Sequence, residues 1–232
     1  MSVHAARPPA HTSNQTSADA NLDTKPIENM IAEACSDAAC EGELHDLLAV
    51  VAERQGAQAG SGDLERGARF VLAYVEQVPY MMKVAWTAAS NVGLQDEMRC
   101  ILEMVEGYWI EGDDVIPDGL GVIGLLDDAY CSLSSLQAVS DHYRLQTGKY
   151  LFPDDLSEAN RAMRRVIGEP YATELDRIVI RAMKETGLLD AVTRLANEDK
   201  RLRFESNSTI WSHGPAGRLD IEGLSGLGIT DD

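Results

Sequence analysis

Apolar residues recur every three or four positions along most of this 232-residue chain. This spacing places side chains on one face of an α-helix, whereas a half-buried strand alternates apolar and polar residues. The pattern is clearest over residues 64–82, 94–108 and 123–143. The sequence contains no alternating segment bounded by turn residues. It therefore predicts an all-α fold, a compact helical bundle.

Proline and glycine predict where these helices end. Pro79 lies inside the first apolar series, where it removes a backbone donor and should kink or break the helix. The third series continues to Gly148 and predicts the longest helix of the protein. Pro170 suits the first position of a helix, and glycines follow two of the shorter segments. Shorter amphipathic helices are predicted at residues 28–37, 43–55, 157–167, 171–185 and 187–203.

The two ends of the chain differ from its centre. Residues 1–26 are rich in Ala, Pro, Thr, Ser and Asn without apolar periodicity, which predicts a disordered tail. Residues 27–205 form the predicted helical domain. Residues 206–232 contain repeated glycines that would interrupt a helix, so a mobile tail is predicted there. Its scattered apolar residues could dock on the domain or on a partner, and we favour the domain.

Composition excludes several classes of protein. Lys and Arg total 20 and Asp and Glu total 38, a net charge of −18, which disfavours nucleic acid as a partner and also peripheral contact with an anionic membrane. No stretch approaches the roughly 18 apolar residues of a membrane span, and the N-terminus does not resemble a signal peptide. A cytoplasmic location is expected, with the four cysteines reduced.

Charge is also unevenly distributed along the chain. Residues 92–142 contain 11 acidic side chains and one basic side chain, whereas residues 161–203 contain 10 basic and 7 acidic ones. The later helices could therefore lie against the acidic segment and offset its self-repulsion. Alternatively, both segments simply expose charged helix faces to solvent.

The acidic segment contains a punctuated turn between two predicted helices. Pro117-Asp118-Gly119 is typical of a tight turn, so a helical hairpin is expected. Four aspartates near it form the candidate metal site: Asp114, Asp118, Asp127 and Asp128. Clustered carboxylates repel each other unless a cation or a donor intervenes, so their convergence would favour Mg²⁺, Mn²⁺ or Ca²⁺.

A structural role for the same aspartates is the preferred interpretation. Asp often caps helices and stabilises turns. Asp127 and Asp128 are expected one to three turns inside the following helix, too far along for capping. For them we expect a buried ion pair with an arginine. The candidate arginines are Arg161, Arg164, Arg165 and Arg177.

The same residues also resemble a known family. Asp114-Val-Ile-Pro-Asp118, then Gly124-Leu-Leu-Asp127-Asp128 and a long apolar helix, is similar to the hallmark of the YkvA-like family, a small helical domain of unknown function in bacteria. The resemblance covers about residues 78–139. It implies a helical fold and a candidate site, but it implies no reaction, because the family has no established activity. Many relatives have a more apolar hairpin, which implies membrane embedding that the polar residues here disfavour.

Two functional hypotheses follow. The first is a non-enzymatic helical interaction or adaptor module, whose acidic hairpin docks a partner protein. The alternative is a divalent-metal-dependent enzyme acting on a phosphate-containing or other anionic substrate. In it the four aspartates hold the metal, and Arg161, Arg164 and Arg165 hold the anion. No histidine pair, serine elbow or phosphate loop is present in the sequence, so no catalytic residue or organic cofactor is predicted.

Overall fold

Every regular element in the described part of the chain is a helix, which confirms the predicted all-α class. The computed structural model describes residues 22–36, 39–111, 115–116, 118–152, 154–198 and 219–229. Its α-helices are α1 (Lys25–Ser36), α2 (Cys40–Arg54), α3 (Ser61–Val92), α4 (Gln95–Glu111), α5 (Leu126–Thr147), α6 (Ser157–Ile167), α7 (Tyr171–Glu185) and α8 (Leu188–Glu198). Two 3₁₀ helices complete the set, the linker 3₁₀ helix (Asp118–Leu125) and the C-terminal 3₁₀ helix (Ile221–Leu227).

Helices α3 and α5 form the centre of the bundle. Helix α3 packs against α1, α2, α4, α5 and the C-terminal 3₁₀ helix, while α5 packs against α3, α4, α6, α7 and α8. Both are buried around most of their circumference, because neighbours cover them on several sides. Apolar side chains from the surrounding helices complete one continuous core.

The prediction about which central helix is longest is wrong. The longest helix is α3, with 32 residues, and not α5, with 22. At Pro79 the sequence predicts a kink or a break, and α3 continues through this residue without a break. An internal proline costs about 3 kcal/mol. Here Val75, Val78 and Met82 on either side of it are at most 1% exposed, so burial of both halves in one core offsets that cost.

The start of α5 also differs from the prediction. The apolar series begins near residue 123, but the chain is 3₁₀ until Leu125 and α5 begins at Leu126. Gly121 has a φ of +58°, outside the α-helical range, so α5 cannot extend back through this residue. Helix α4 precedes this linker and α5 follows it, and the two helices contact each other. Pro117 of the predicted turn lies outside the described residues.

The C-terminal segment docks on the domain instead of remaining free. Leu224 and Leu227 are fully buried, and the C-terminal 3₁₀ helix packs against α2, α3 and α6. A Cβ at Gly67 of α3 would lie only 2.7 Å from Leu227 Cδ1, so the glycine permits this close approach. Docking on the domain, the alternative favoured for the apolar residues of this tail, is therefore confirmed for residues 219–229.

Residues 206–218 and 230–232 lie outside the described residues, as do residues 1–21 of the predicted N-terminal tail. Lys25 and Pro26, the last residues of that tail, already belong to α1. Within the described ranges, no helix combines the length and the apolar character needed to cross a bilayer.

Candidate functional site

Asp127 and Asp128 lie in the first turn of α5, where both are buried. They are the second and third residues of the helix, and their exposures are 0% and 1%. Asp127 Oδ2 accepts a hydrogen bond from the backbone N–H of Ile116 at 2.8 Å. The carboxylate thus ties the chain before the linker 3₁₀ helix to the start of α5. The predicted position deep inside the helix is wrong, because α5 begins later than its apolar series.

Burial dominates the electrostatics of Asp127. Loss of solvent raises the pKa of its carboxyl, and the hydrogen bond from the Ile116 amide opposes this rise. The backbone amides of Asp127, Asp128 and Val115 act in the same lowering direction. A negative charge in a first helical turn is also favoured by the helix dipole. Asp127 Oδ1 has no hydrogen-bond partner among the described residues.

A short chain of hydrogen bonds joins the end of α4 to the same turn of α5. Trp109 Nε1 donates to Ser132 Oγ at 3.0 Å, and Ser132 Oγ donates to the backbone oxygen of Asp128 at 2.6 Å. Trp109 is only 2% exposed. Burial raises the pKa of the neighbouring Cys131 thiol, and the charges of Asp127 and Asp128 add to the effect. Such a thiol is a packed core group and a poor nucleophile.

The structure brings two of the four predicted metal ligands together. Asp127 and Asp128 share one buried turn, whereas Asp114 lies outside the described residues. Asp118 begins the linker 3₁₀ helix. Among the residues that the structure describes, no three His, Cys, Asp or Glu side chains are placed to hold a metal ion. The metal site therefore stays a prediction.

The predicted arginine partner of Asp127 is wrong, because the described partner of its carboxylate is a backbone amide. Arg164 instead donates from Nε to Asp176 Oδ2 at 2.9 Å and from Nη2 to Glu169 Oε1 at 2.8 Å. Arg177 pairs with Glu174 within α7. The two ion pairs of Arg164 connect α6 with α7 and with the segment before α7.

The outer face of α4 is a second acidic surface, which the sequence reasoning missed. We define it by Asp96, Cys100, Glu103, Gly107 and Ile110, which follow each other at steps of four and three. Asp96, Cys100 and Glu103 are exposed, and Ile110 is 61% exposed. A Cβ at Gly107 would meet nothing within 4 Å. The sequence signal that could have identified this face is the set of polar residues between the apolar positions of residues 94–108.

This outer face is held rigidly by the opposite side of the same helix. Met98, Ile101, Leu102 and Val105 are at most 3% exposed and anchor α4 in the core. Beside the outer face, the Arg99 guanidinium lies 4.9 Å above the centre of the Trp86 ring, a cation–π contact with α3. The buried side, and not the exposed stripe, therefore packs α4 in the core.

Comparison of the chain with protein-family models, with curated proteins and with solved structures found no match. The geometry of the described residues thus carries the functional argument.

Proposed function

We propose that this chain is a helical protein-interaction module and that the outer face of α4 is its docking surface. One observation carries the proposal, namely that acidic, small and aliphatic side chains follow one exposed stripe of α4 at helical spacing. A partner helix or groove reads such a stripe through contacts at these same intervals. The function is binding and not catalysis.

Each residue type on the stripe has a role in docking. Ile110 supplies an apolar anchor, whose full burial is worth about 1.5–3 kcal/mol. Cys100 and Gly107 are small and allow a partner backbone to approach closely. Asp96 and Glu103 steer a basic partner, although exposed ion pairs add only about 0.2–1 kcal/mol each. The anchor provides affinity, while the acids provide specificity and speed.

The connection between α4 and α5 supports the same proposal. The Trp109–Ser132 hydrogen bond and the Asp127–Ile116 hydrogen bond hold the chain at either side of the acidic turn. A surface that is rigid before binding loses less conformational entropy on docking. Asp127 and Asp128 are then positioning residues for the docking surface.

The proposal includes three expectations from the sequence. Residues 78–139 are a YkvA-like hairpin, the protein is cytoplasmic, and the partner is a protein and not nucleic acid. Burial of the Asp127-Asp128 pair supports the first, since it places these two residues of the motif at the packed start of α5. The net charge of −18 supports the last.

Site-specific photo-crosslinking in cells tests the docking surface. A photoreactive amino acid replaces Glu103 on α4, and the matched control replaces Glu53, an exposed acid on α2. We expect a protein adduct of defined mass from position 103 and none from position 53. The adduct should disappear when Ile110→Asp is added. Equal adducts from both positions, or none from position 103, would contradict the proposal.

A second candidate function, a divalent-cation site, is favoured by Asp127 Oδ1. This oxygen is buried and has no hydrogen-bond partner among the described residues. Coordination of a cation would satisfy it. Asp128, Asp114 and Asp118 would complete the site in the enzyme hypothesis. In this role the metal would be Mg²⁺, Mn²⁺ or Ca²⁺.

Thermal melts distinguish this candidate from a structural role. The protein is melted with a chelator and then with each of the three cations. A cation that binds only the folded state at 100 times its Kd adds about 2.7 kcal/mol. The metal hypothesis requires a rise in Tm that is lost in Asp127→Asn combined with Asp128→Asn. An unchanged Tm with all three ions would leave the two aspartates as structural groups.

A further inference from the structure

Helix α7 has an outer face with the opposite charge. Its buried side consists of residues such as Leu175 and Val179, and Arg177, Arg181 and Lys184 lie on the other side. These three cations step by four and three residues and are exposed. We call them, with the neighbouring Ile180, the basic face of α7.

The basic face is available for a partner. Arg177 already pairs with Glu174, but Arg181 and Lys184 have no ion pair among the residues that the structure describes. Glu185 is exposed at the edge of this face and reduces its positive charge. Ile180 is 53% exposed among the cations. In a chain with a net charge of −18, a face on which cations predominate is unusual.

The two outer faces match each other. The face of α4 carries Asp96 and Glu103 with the exposed Ile110, and the face of α7 carries Arg181 and Lys184 with the exposed Ile180. Each therefore offers one exposed aliphatic side chain in a charged surface. Acids outnumber Arg99 on the face of α4, and cations outnumber Glu174 and Glu185 on the face of α7. Opposite charges placed around an apolar contact favour association and suppress contacts between like faces.

The positions of the two helices allow both contacts to form at once. Helices α4 and α7 both pack on α5 and also contact each other, so they are neighbours at the surface of the bundle. In a two-fold dimer with the α4 of one copy against the α7 of the other, symmetry forms the second contact together with the first. Such an isologous arrangement closes at two copies.

We propose that a second copy of this chain docks here, with the outer face of α4 of each protomer on the basic face of α7 of its partner. This inference rests on the proposed function and names its partner. The net charge of −18 on each copy opposes association at long range, so the complementary faces must supply the attraction at contact. The assembly is consequently a reversible dimer.

Charge-reversal variants test the dimer by sedimentation equilibrium of the full chain. Glu103→Lys and Arg181→Glu should each weaken self-association about tenfold or more. An equimolar mixture of the two variants should restore it, because both contacts then again join opposite charges. Glu53→Lys, which makes the same charge change on α2, should leave the association constant unchanged. Circular dichroism melts verify that each variant is folded.

The outcomes separate this inference from the proposed function. A wild-type protein that stays monomeric at high concentration overturns the dimer, as does a dimer that neither reversal weakens or that mixing fails to restore. If the dimer fails while position 103 still cross-links to a different protein, only this inference is lost. If position 103 also yields no adduct, the proposed docking surface is lost with it.

Discussion

Two groups of acidic residues lie on the consecutive helices α4 and α5, yet they occupy opposite environments. Asp127 and Asp128 at the start of α5 are at most 1% exposed, whereas Asp96 and Glu103 on α4 are exposed. In the buried pair, Asp127 accepts a backbone hydrogen bond that joins the start of α5 to the segment before the linker 3₁₀ helix. The exposed pair contacts water and is free to meet a partner. Environment, and not residue type, therefore decides which acids are structural and which can recognise another molecule.

Removal of Trp109, which joins α4 to α5, should have the largest effect on the free energy of unfolding. Trp109→Ala deletes a large buried ring and its hydrogen bond to Ser132, both of which fix the end of α4 against α5. Truncation of a buried aromatic residue costs about 3–5 kcal/mol. We expect this loss in the free energy of unfolding, measured by urea denaturation. A loss below about 1 kcal/mol would show that the two regions are not joined through Trp109.

Loss of the hydrogen bond from the Ile116 amide to Asp127 should have the next largest effect on the free energy of unfolding. Asp127→Asn keeps an oxygen that can accept from the Ile116 amide, and Asp127→Ala removes it. Leaving a largely buried donor unsatisfied costs about 1–3 kcal/mol. Since both variants remove the charge, Asp127→Ala should be less stable than Asp127→Asn by about that amount. Equal stability of the two variants would mean that the contact contributes nothing.

The charge of Asp127 should produce a smaller, pH-dependent effect. Its folded pKa is raised by burial, so the folded state holds the proton more tightly than the unfolded state does. The resulting stability is fully present below the unfolded pKa and is lost as pH rises through the folded pKa. At pH 7 the carboxylate is therefore a cost, and Asp127→Asn should raise the free energy of unfolding at this pH.

Melts of wild type and Asp127→Asn from pH 3 to pH 8 measure this difference. The stability advantage of the asparagine variant should grow as pH rises and then level off. An advantage that is constant across the series would show that the proton on Asp127 is not linked to folding.

The fold was predictable because helices leave a strong sequence signal. The predicted segments 157–167 and 171–185 coincide with α6 and α7, where apolar spacing, proline and glycine all agree. At Pro79 the signal allowed a break that does not occur, because packing by distant residues offsets a local penalty. The signal failed at the linker 3₁₀ helix, since a short apolar segment looks alike in 3₁₀ and α conformations.

The site was less predictable, because burial depends on contacts that are distant in sequence. Counting acids identified the segment 92–142, but it could not separate Asp127, which is covered by the core, from Glu103, which faces solvent. The helical period that located the buried side of α4 also locates its outer face. Only the packing of α3, α5, α7 and α8 around α4 determines which of the two sides is buried and which is exposed.

Substitution of the exposed acidic residues on α4 should have the smallest effect on the free energy of unfolding. Glu103→Gln removes a charge that has no ion pair within the described ranges, so we expect a change within about 0.5 kcal/mol. Glu28→Gln is the matched control, because Glu28 accepts from Lys83 Nζ at 2.6 Å and from Thr24. Its half-exposed ion pair should contribute up to about 1 kcal/mol.

The pH dependence of that control should also run opposite to that of Asp127. The hydrogen bond from Lys83, and then that from Thr24, lowers the pKa of Glu28. Its stabilisation is present above the unfolded pKa and lost as pH falls through the folded pKa. Denaturation of the three variants at pH 3 and pH 7 compares them directly. If Glu103→Gln proves as costly as Glu28→Gln, the outer face of α4 supports the fold and is not reserved for a partner.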